Sequence, residues 1–244
     1  MVVILKGRKP SIYVNDADLT VDGRASEPSF GNDPVDATTF QDEAHRNNPG
    51  LQSVTYSYTG LFDSATARTH RTVVDLLSNS RPISVYPQGD AVGLPGVGMS
   101  SARAQNFRPG GEVGGMAELS AEIYQDGTHD ELVSLGSMST NTTNATLTAV
   151  DGTASAASGS GQFYVHVFAN AATGGTDKWV VHLQHASASG AAYVDRATAS
   201  FGSGTIKGTT VAFSGTLLRW RRVTSILHGT GGTLVVQAGY VEPK

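Results

Sequence analysis

Alternation with a period of two is the main pattern along this chain. In residues 51–61 (LQSVTYSYTGL), Val54, Tyr56 and Tyr58 fall on one side, and Leu51, Ser53, Thr55, Ser57 and Thr59 on the other. That predicts a half-buried strand. Residues 116–124 (MAELSAEIY) set Ala117, Leu119, Ala121 and Ile123 against Met116, Glu118, Ser120 and Glu122, again a strand pattern. Residues 11–22 read as a strand with an acidic break, and 83–87 as a short strand. Five further strand signals follow at 163–169, 179–185, 210–215, 217–223 and 233–241. Together they make an antiparallel module of about 80–90 residues, a usual size for a β-sandwich. Helical spacing is expected only over 64–78, where Ser64 can cap the first turn and Val73, Leu76 and Leu77 make a stripe with Ala65 and Thr69.

The segments between these patterns read as loops. Residues 24–50 contain Pro28, Gly31, Pro34, Pro49 and Gly50, which predicts a long loop with a short ordered piece around Thr38–Glu43. Residues 89–111, with the run VGLPGVGM, read as an apolar contact loop, and Gln125–Gly127 as a turn. Asp151–Gly152 is a hairpin signal, and Ala154–Gly161 has the composition of a linker. The expected organisation is therefore a mainly β chain of two parts. Residues 1–155 form an antiparallel β-sandwich with one flanking helix. Residues 156–244 form a second, Ig-like or jelly-roll-like sandwich.

Composition narrows the classes of function. Charged residues make up 16% of the 244 residues, against about 25% in a typical globular chain, and Gly occurs 29 times. Such a sparse surface of small residues suits a subunit covered by its neighbours. The absence of cysteine removes disulfides, Cys-ligated zinc and thiol catalysis. The start MVVILKGRKP lacks the order and length of a signal peptide, and no window approaches the ~18 apolar residues of a membrane span, so a soluble cytoplasmic product is expected. Residues 1–155 hold 18 acids and 10 bases (−8), whereas 156–244 hold 3 acids and 7 bases (+4). Complementary association between the parts, or between subunits, is one use of that asymmetry.

Candidate chemistry is thin. His166 and His182 fall on strands expected to pair, but a zinc site needs three or four ligands and only His185 or Asp177 lies near, so solvent-facing or interface histidines are expected. Ser187, His185 and Asp195 are triad residue types without a G-x-S-x-G elbow. The acidic pairs Asp16/Asp18, Asp42/Glu43 and Asp130/Glu131 read as solvated turns, since sequence spacing does not set two carboxylates across a cleft. Gly93–Gly98 lacks the Lys-Ser/Thr of a phosphate loop. The basic cluster Arg219, Arg221 and Arg222 around Trp220 has the ingredients for stacking nucleic acid, but salt bridges to acidic neighbours are the simpler expectation. No catalytic, cofactor or metal residue is assigned.

The segment TTFQDEAHRNNPGLQSVTYSYTGLFD (38–63) resembles the "T-T-F-x-D…R…P-G-L…x-G-x-F-D" stretch of tail tube (major tail) proteins of long-tailed bacteriophages. The C-terminal runs 179–201 and 215–240 resemble an add-on β module of phage virion proteins, with Gln184–His185, Tyr193, Arg219–Trp220 and Arg222–Val223 in matching places. Ala186 stands where that module commonly has Ser, and Gly190 lacks a preceding Asp. The resemblance implies a non-enzymatic virion subunit, made in the host bacterial cytoplasm. It implies hexameric rings stacked into a tube around an acidic lumen that conducts genomic DNA, with other tail proteins as partners. Ring closure is expected from edge strands, and ring stacking from residues 24–50 and 89–111. A head decoration or minor virion protein is the alternative within virions, and a carbohydrate-binding sandwich the alternative from another class.

Overall fold

The structure, a computed structural model, describes residues 10–36, 47–65, 68–111, 115–126, 129–152, 155, 158–171, 177–229 and 232–243. It is mainly β and antiparallel, consistent with a β-sandwich, with one helix among the described residues. Its strands are β1 Ser11–Val14, β2 Ala17–Asp18, β3 Gly23–Asp36, β4 Asn47–Leu61, β5 Arg81–Tyr86, β6 Pro95–Gly110, β7 Glu118–Asp126, β8 Asp130–Asn141, β9 Ala145–Thr146, β10 Val150–Asp151, β11 Gly159–Asn170, β12 Lys178–Ala186, β13 Val194–Gly202, β14 Gly208–Gly215, β15 Trp220–His228 and β16 Leu234–Val241. The helix α1 is Thr69–Ser78.

The chain divides into two compact units, neither of them continuous in sequence. The first comprises Met1–Val21, Arg81–Ser100 and Asp130–Lys244; the second comprises Asp22–Ser80 and Ser101–His129. This division does not follow the boundary expected at 155. Strands from both sides of that position pair directly: β16 with β8 from Leu234↔Asn141 to Val241↔Leu132, and β15 with β9 and β10.

In the first unit the larger sheet runs β14-β11-β16-β8-β6-β5-β1-β2, and the smaller runs β10-β15-β12-β13 with β9 also on β15. Phe163, Val165 and Val167 of β11 and Val236, Ala238 and Tyr240 of β16 pack with Trp179, Val181, Leu183 and Phe201 of the smaller sheet. The other side of β11 and β16 is buried as well. Tyr164 clusters with Tyr13, Tyr86, Leu132 and Val241, and Gln237 Nε2 donates to Tyr86 Oη at 2.8 Å. The larger sheet curls far enough for Gly208 N to donate to Asn15 Oδ1 at 3.0 Å. Gly96 lies where β6 crosses beneath Tyr86. A Cβ there would stand 2.5 Å from the Tyr86 ring and 2.7 Å from the Val85 carbonyl oxygen. Gly96→Ala should therefore lower stability by about 1–3 kcal/mol. An unchanged denaturation midpoint would show that this crossing is looser than described.

The second unit has the strand order β3-β4-β7-β6 and also contains α1. Its register is readable in rows. Phe30–Val54–Gln125–Ala102 and Pro28–Tyr56–Ile123–Ala104 share one face, and Ser29–Thr55–Tyr124–Arg103 and Glu27–Ser57–Glu122–Gln105 share the other. Val54, Tyr56, Tyr58, Leu119, Ala121 and Ile123 are buried, as their alternation predicts. The helix begins at Thr69, not near Ser64. Its N-cap residue, Arg68, makes no side-chain cap bond, and the preceding turn is held instead by Asp63 Oδ1 on the Ala65 amide. Thr69, Thr72, Val73 and Leu76 are buried, whereas Leu77, expected in the buried stripe, is exposed.

Two expected loops are strands. Residues 24–50 supply β3 and the start of β4, and residues 89–111 supply β6. Pro28 and Pro34 fit because, among the described residues, β3 pairs with β4 alone, so one edge of β3 makes no ladder bonds to them. The ordered piece expected around Thr38–Glu43 lies outside the described residues. Asp151–Gly152 turns no hairpin: Asp151 pairs with Trp220, and Gly152 N donates to Arg219 O at 3.0 Å. Strand β13 was not expected at all.

Candidate assembly interface

The histidines do not form a pair. His166 lies on β11 in the larger sheet and His182 on β12 in the smaller, and β12 pairs with β13 and β15. His166 is not solvent-facing either. It is fully buried, with Nε2 at 2.9 Å from Ser84 Oγ and Nδ1 at 3.0 Å from the Asn15 carbonyl oxygen. The cause is the burial of both faces of β11, which removes the polar side that an alternating pattern normally implies. Burial pushes the His166 pKa down to about 4, against the raising effect of the Asn15 hydrogen bond. A depressed folded pKa means that stability is fully present above the unfolded value of about 6.5 and is lost as pH falls towards 4. The loss should approach about 3 kcal/mol. Urea denaturation at pH 7 and pH 4 measures it, and His166→Gln should remove much of the dependence. Identical pH dependence in the two proteins would refute the assignment.

The triad residue types do not converge. His185 is buried and its Nδ1 accepts the Leu218 amide at 3.0 Å, while the Asp195 carboxylate faces His182 at 2.9 Å and Gln184 at 2.8 Å. Burial, then the charges of Arg196 and Arg221, lower the His185 pKa. Asp130 of the pair Asp130/Glu131 accepts the Tyr164 hydroxyl at 2.6 Å, and Asp16 and Asp18 bond to Asn15 and the Thr20 amide. Asp42 and Glu43 lie outside the described residues.

The basic cluster resolves into three separate roles. Arg219 makes a bidentate pair with Asp151 at 2.6 Å, the acidic neighbour expected for it. Arg221 is fully buried, bonded to Glu242, to Tyr240 Oη at 3.1 Å and to the Leu218 carbonyl at 2.9 Å. Arg222 lies 3.8 Å above the Tyr193 ring and donates to Gln184 Oε1 at 3.0 Å. Gln184, Tyr193 and Arg222, singled out by the module resemblance, thus meet on one face of the smaller sheet. Gln184 stands opposite Arg222 and Asp195 in the ladder, so cross-strand pairing accounts for these contacts. Of Tyr164, Tyr193 and Trp220, the aromatics of this part that a sugar platform would use, Tyr164 is buried, Tyr193 is covered by Arg222 and Trp220 is half-buried with Arg219 5.7 Å from its ring centroid.

In the sheet of the second unit β3 is an edge that pairs with β4 alone among the described residues, whereas β6 pairs with β7 over Ala102–Gly110 and with β8 and β5 in the larger sheet. Among the described residues β4 pairs with β7 from Ser53↔Asp126 to Leu61↔Glu118, whereas β3 follows β4 to Asp36↔Asn47. The two-stranded ribbon therefore outreaches β7 by the residues Asn47–Gln52, about 20 Å at 3.3–3.4 Å per residue. Long unpaired edges are templates for pairing with another chain. Sequence reading missed this arrangement because Gly and Pro in 24–50 and 89–111 looked like loop residues; the signal available was Pro confined to strand edges and ends.

No protein-family profile matches the chain, and no curated protein matches it. Three solved structures are similar in shape. A chain of the virion of a native gene transfer agent particle is 17% identical with a TM-score of 0.44, covering 52% of this chain and 98% of that one. A chain of the tail of an empty gene transfer agent particle, refined with C6 symmetry, is 17% identical with a TM-score of 0.38, covering 49% and 94%. The Dit protein of phage SPP1, described as part of a hub adsorption apparatus in phages infecting Gram-positive hosts, is 12% identical with a TM-score of 0.33, covering 95% and 98%.

Proposed function

We propose that this chain is a non-enzymatic structural subunit of a phage tail that joins copies of itself, edge to edge, into rings stacked as a tail tube. The observation that carries this reading is the four-stranded sheet of the second unit. It has β3 at one edge and the Ala102–Gly110 stretch of β6 as its last strand at the other side, in a chain whose residues 38–63 resemble the tail-tube segment. Contacts between two different edges are heterologous, and heterologous contacts that close make rings. Six-fold closure is the expectation that the family resemblance supplies. Backbone pairing of β3 with β6 of the next subunit satisfies both edges at once. Ring stacking then falls to the β3–β4 ribbon where it outreaches β7, in place of the loop expected at 24–50. The residues 89–111, as a strand, take the ring-closing role instead.

The polar face of the same sheet is the proposed lumen wall. Its rows carry Ser29, Thr55, Ser57, Thr59 and Ser120 with the acidic positions Glu27, Glu118, Glu122 and Asp126 and the arginines Arg103 and Arg108. Four acids against two arginines, with Arg24 paired to Glu118, make that face hydroxyl-rich and mildly acidic, in the direction of the acidic lumen suggested by the −8 of residues 1–155. Such a surface does not hold a phosphate backbone, which suits passage without specific binding. Light scattering over a concentration series tests the reading. A mass that rises to a fixed multiple of the 25.4 kDa chain supports it, and a monomer at every concentration overturns it.

A further inference from the structure

The larger sheet of the first unit closes on itself without a ladder. Its strand path runs from β14 to β2, and among the described residues no backbone pairing joins those two ends. Asn15, in the turn between β1 and β2, makes the closure. It takes a φ of 52°, in the left-handed region that asparagine tolerates. Its amide donates to the Pro82 carbonyl at 3.0 Å, its Oδ1 accepts the Gly208 amide at 3.0 Å, and its carbonyl oxygen lies 3.0 Å from His166 Nδ1. Gly208, the first residue of β14, sits so close that a Cβ there would stand 2.8 Å from the Asn15 carbonyl oxygen. Because His166 Nδ1 faces a carbonyl, it carries the ring proton, and Nε2 accepts from Ser84 Oγ at 2.9 Å. The Tyr13 ring centroid is 6.1 Å from the imidazole, and the Phe168 ring is stacked at 6.5 Å. The titratable groups on the surrounding elements are the tyrosines Tyr13, Tyr86 and Tyr164 and the charged Asp16, Asp18, Arg81 and Lys207. Burial raises the pKa of all three tyrosines, which keeps them neutral. Asp16 accepts from Asn15 Nδ2 at 2.7 Å, and Asp90 accepts the Tyr13 hydroxyl at 2.8 Å. Both hydrogen bonds of the His166 ring go to uncharged oxygens, so a second proton on it would be a buried charge without a counter-charge.

We propose that Asn15, His166 and Gly208 form a latch that closes this sheet, and that acid opens it locally while the rest of the sheet stays paired. A second proton turns Nε2 from an acceptor into a donor, facing the hydroxyl that had been donating to it. Hydration of the new cation requires the ring to leave its buried place, which releases the Asn15 carbonyl and the start of β14. The β11–β14 ladder then frays at its His166↔Gly208 end. The Val167 amide, which donates to the Lys207 carbonyl at 3.1 Å, loses its partner in the same motion. The ladders of β16 with β11 and β8 are untouched. The latch lies within one subunit and holds whatever the chain assembles into.

Hydrogen exchange on the full-length chain at pH 5 and pH 7, with and without low urea, tests the latch. After division by intrinsic exchange rates, the Gly208 and Val167 amides should be about 20-fold less protected at pH 5, given a closed-state pKa of about 4 against about 6.5 when open. Low urea should leave these two amides unchanged, because local opening exposes little surface, whereas the Val236 and Tyr240 amides of β16 should respond to it. His166→Gln should abolish the pH difference at Gly208. Asn15→Gly keeps the left-handed turn but removes Oδ1, and should lower Gly208 protection at both pH values. Equal Gly208 protection at pH 5 and pH 7 in the parent overturns the latch, as does a pH difference that survives in His166→Gln. Gly208 exchange that rises with urea as steeply as that of Val236 also overturns it, since the opening is then global unfolding. The parent's pH and urea series decides the matter even where His166→Gln does not fold.

Discussion

Residues 156–244 expressed alone should not fold cooperatively. Circular dichroism should show a largely disordered chain, and amide resonances should lack dispersion. The reason is the ladder between β16 and β8, seven residue pairs between Leu234↔Asn141 and Val241↔Leu132 that cross the position expected to separate two modules. The fragment also loses Leu135 and Met138 from the core it shares with Phe163, Val165 and Trp179. Removing one buried Leu or Met costs about 2–5 kcal/mol. Losing both, together with a central strand, exceeds what a domain with a total stability of roughly 5–15 kcal/mol can absorb. The β9 and β10 pairings to β15 disappear as well. A sharp thermal transition in the isolated fragment would contradict this, and would restore 156–244 as an independent sandwich.

The second large effect is expected at Arg221. Its side chain is 1% exposed, while its partner Glu242 is 44% exposed. The cation is thus sealed from inside by Tyr240, whose ring centroid lies 5.5 Å away, and closed from outside by a residue near the C-terminus. Gly152 is part of the same seal, since a Cβ there would stand 1.8 Å from an Arg221 guanidinium nitrogen. Removing one partner of a buried pair leaves an uncompensated charge and costs about 3–5 kcal/mol. Because Glu242 is part-exposed, water screens some of that loss, and Glu242→Gln should cost less, on the order of 2 kcal/mol. Arg221→Met together with Glu242→Gln should recover part of the loss, because an apolar side chain of similar length needs no counter-charge. Guanidinium denaturation of the three proteins decides the matter. Equal midpoints for the parent and Glu242→Gln would show that Glu242 is only a surface contact.

Legibility from sequence followed how many faces of a strand are buried. β4 and β7 each bury one face, so Val54, Tyr56, Tyr58, Leu119, Ala121 and Ile123 stood out by alternation and are buried. β11 and β16 bury both faces, so the alternation of Phe163, Val165 and Val167 was real but the inference about His166 failed. β13 was invisible because two of its three core residues, Ala197 and Ala199, are small, and only Phe201 is large. The two alanines oppose Leu183 and Val181 across the ladder, where large residues on β12 fill the space. β3 and β6 were hidden by proline and glycine, which an edge strand tolerates. The candidate site suffered most from this. The edges proposed for assembly are built from the two segments that looked least like strands.

The most direct test is electron microscopy of the purified full-length chain at high concentration. The account predicts closed rings or short stacked tubes, with class averages in which a continuous sheet passes from β6 of one subunit to β3 of the next. Isolated particles the size of a single chain, with no rings at any concentration, would contradict it.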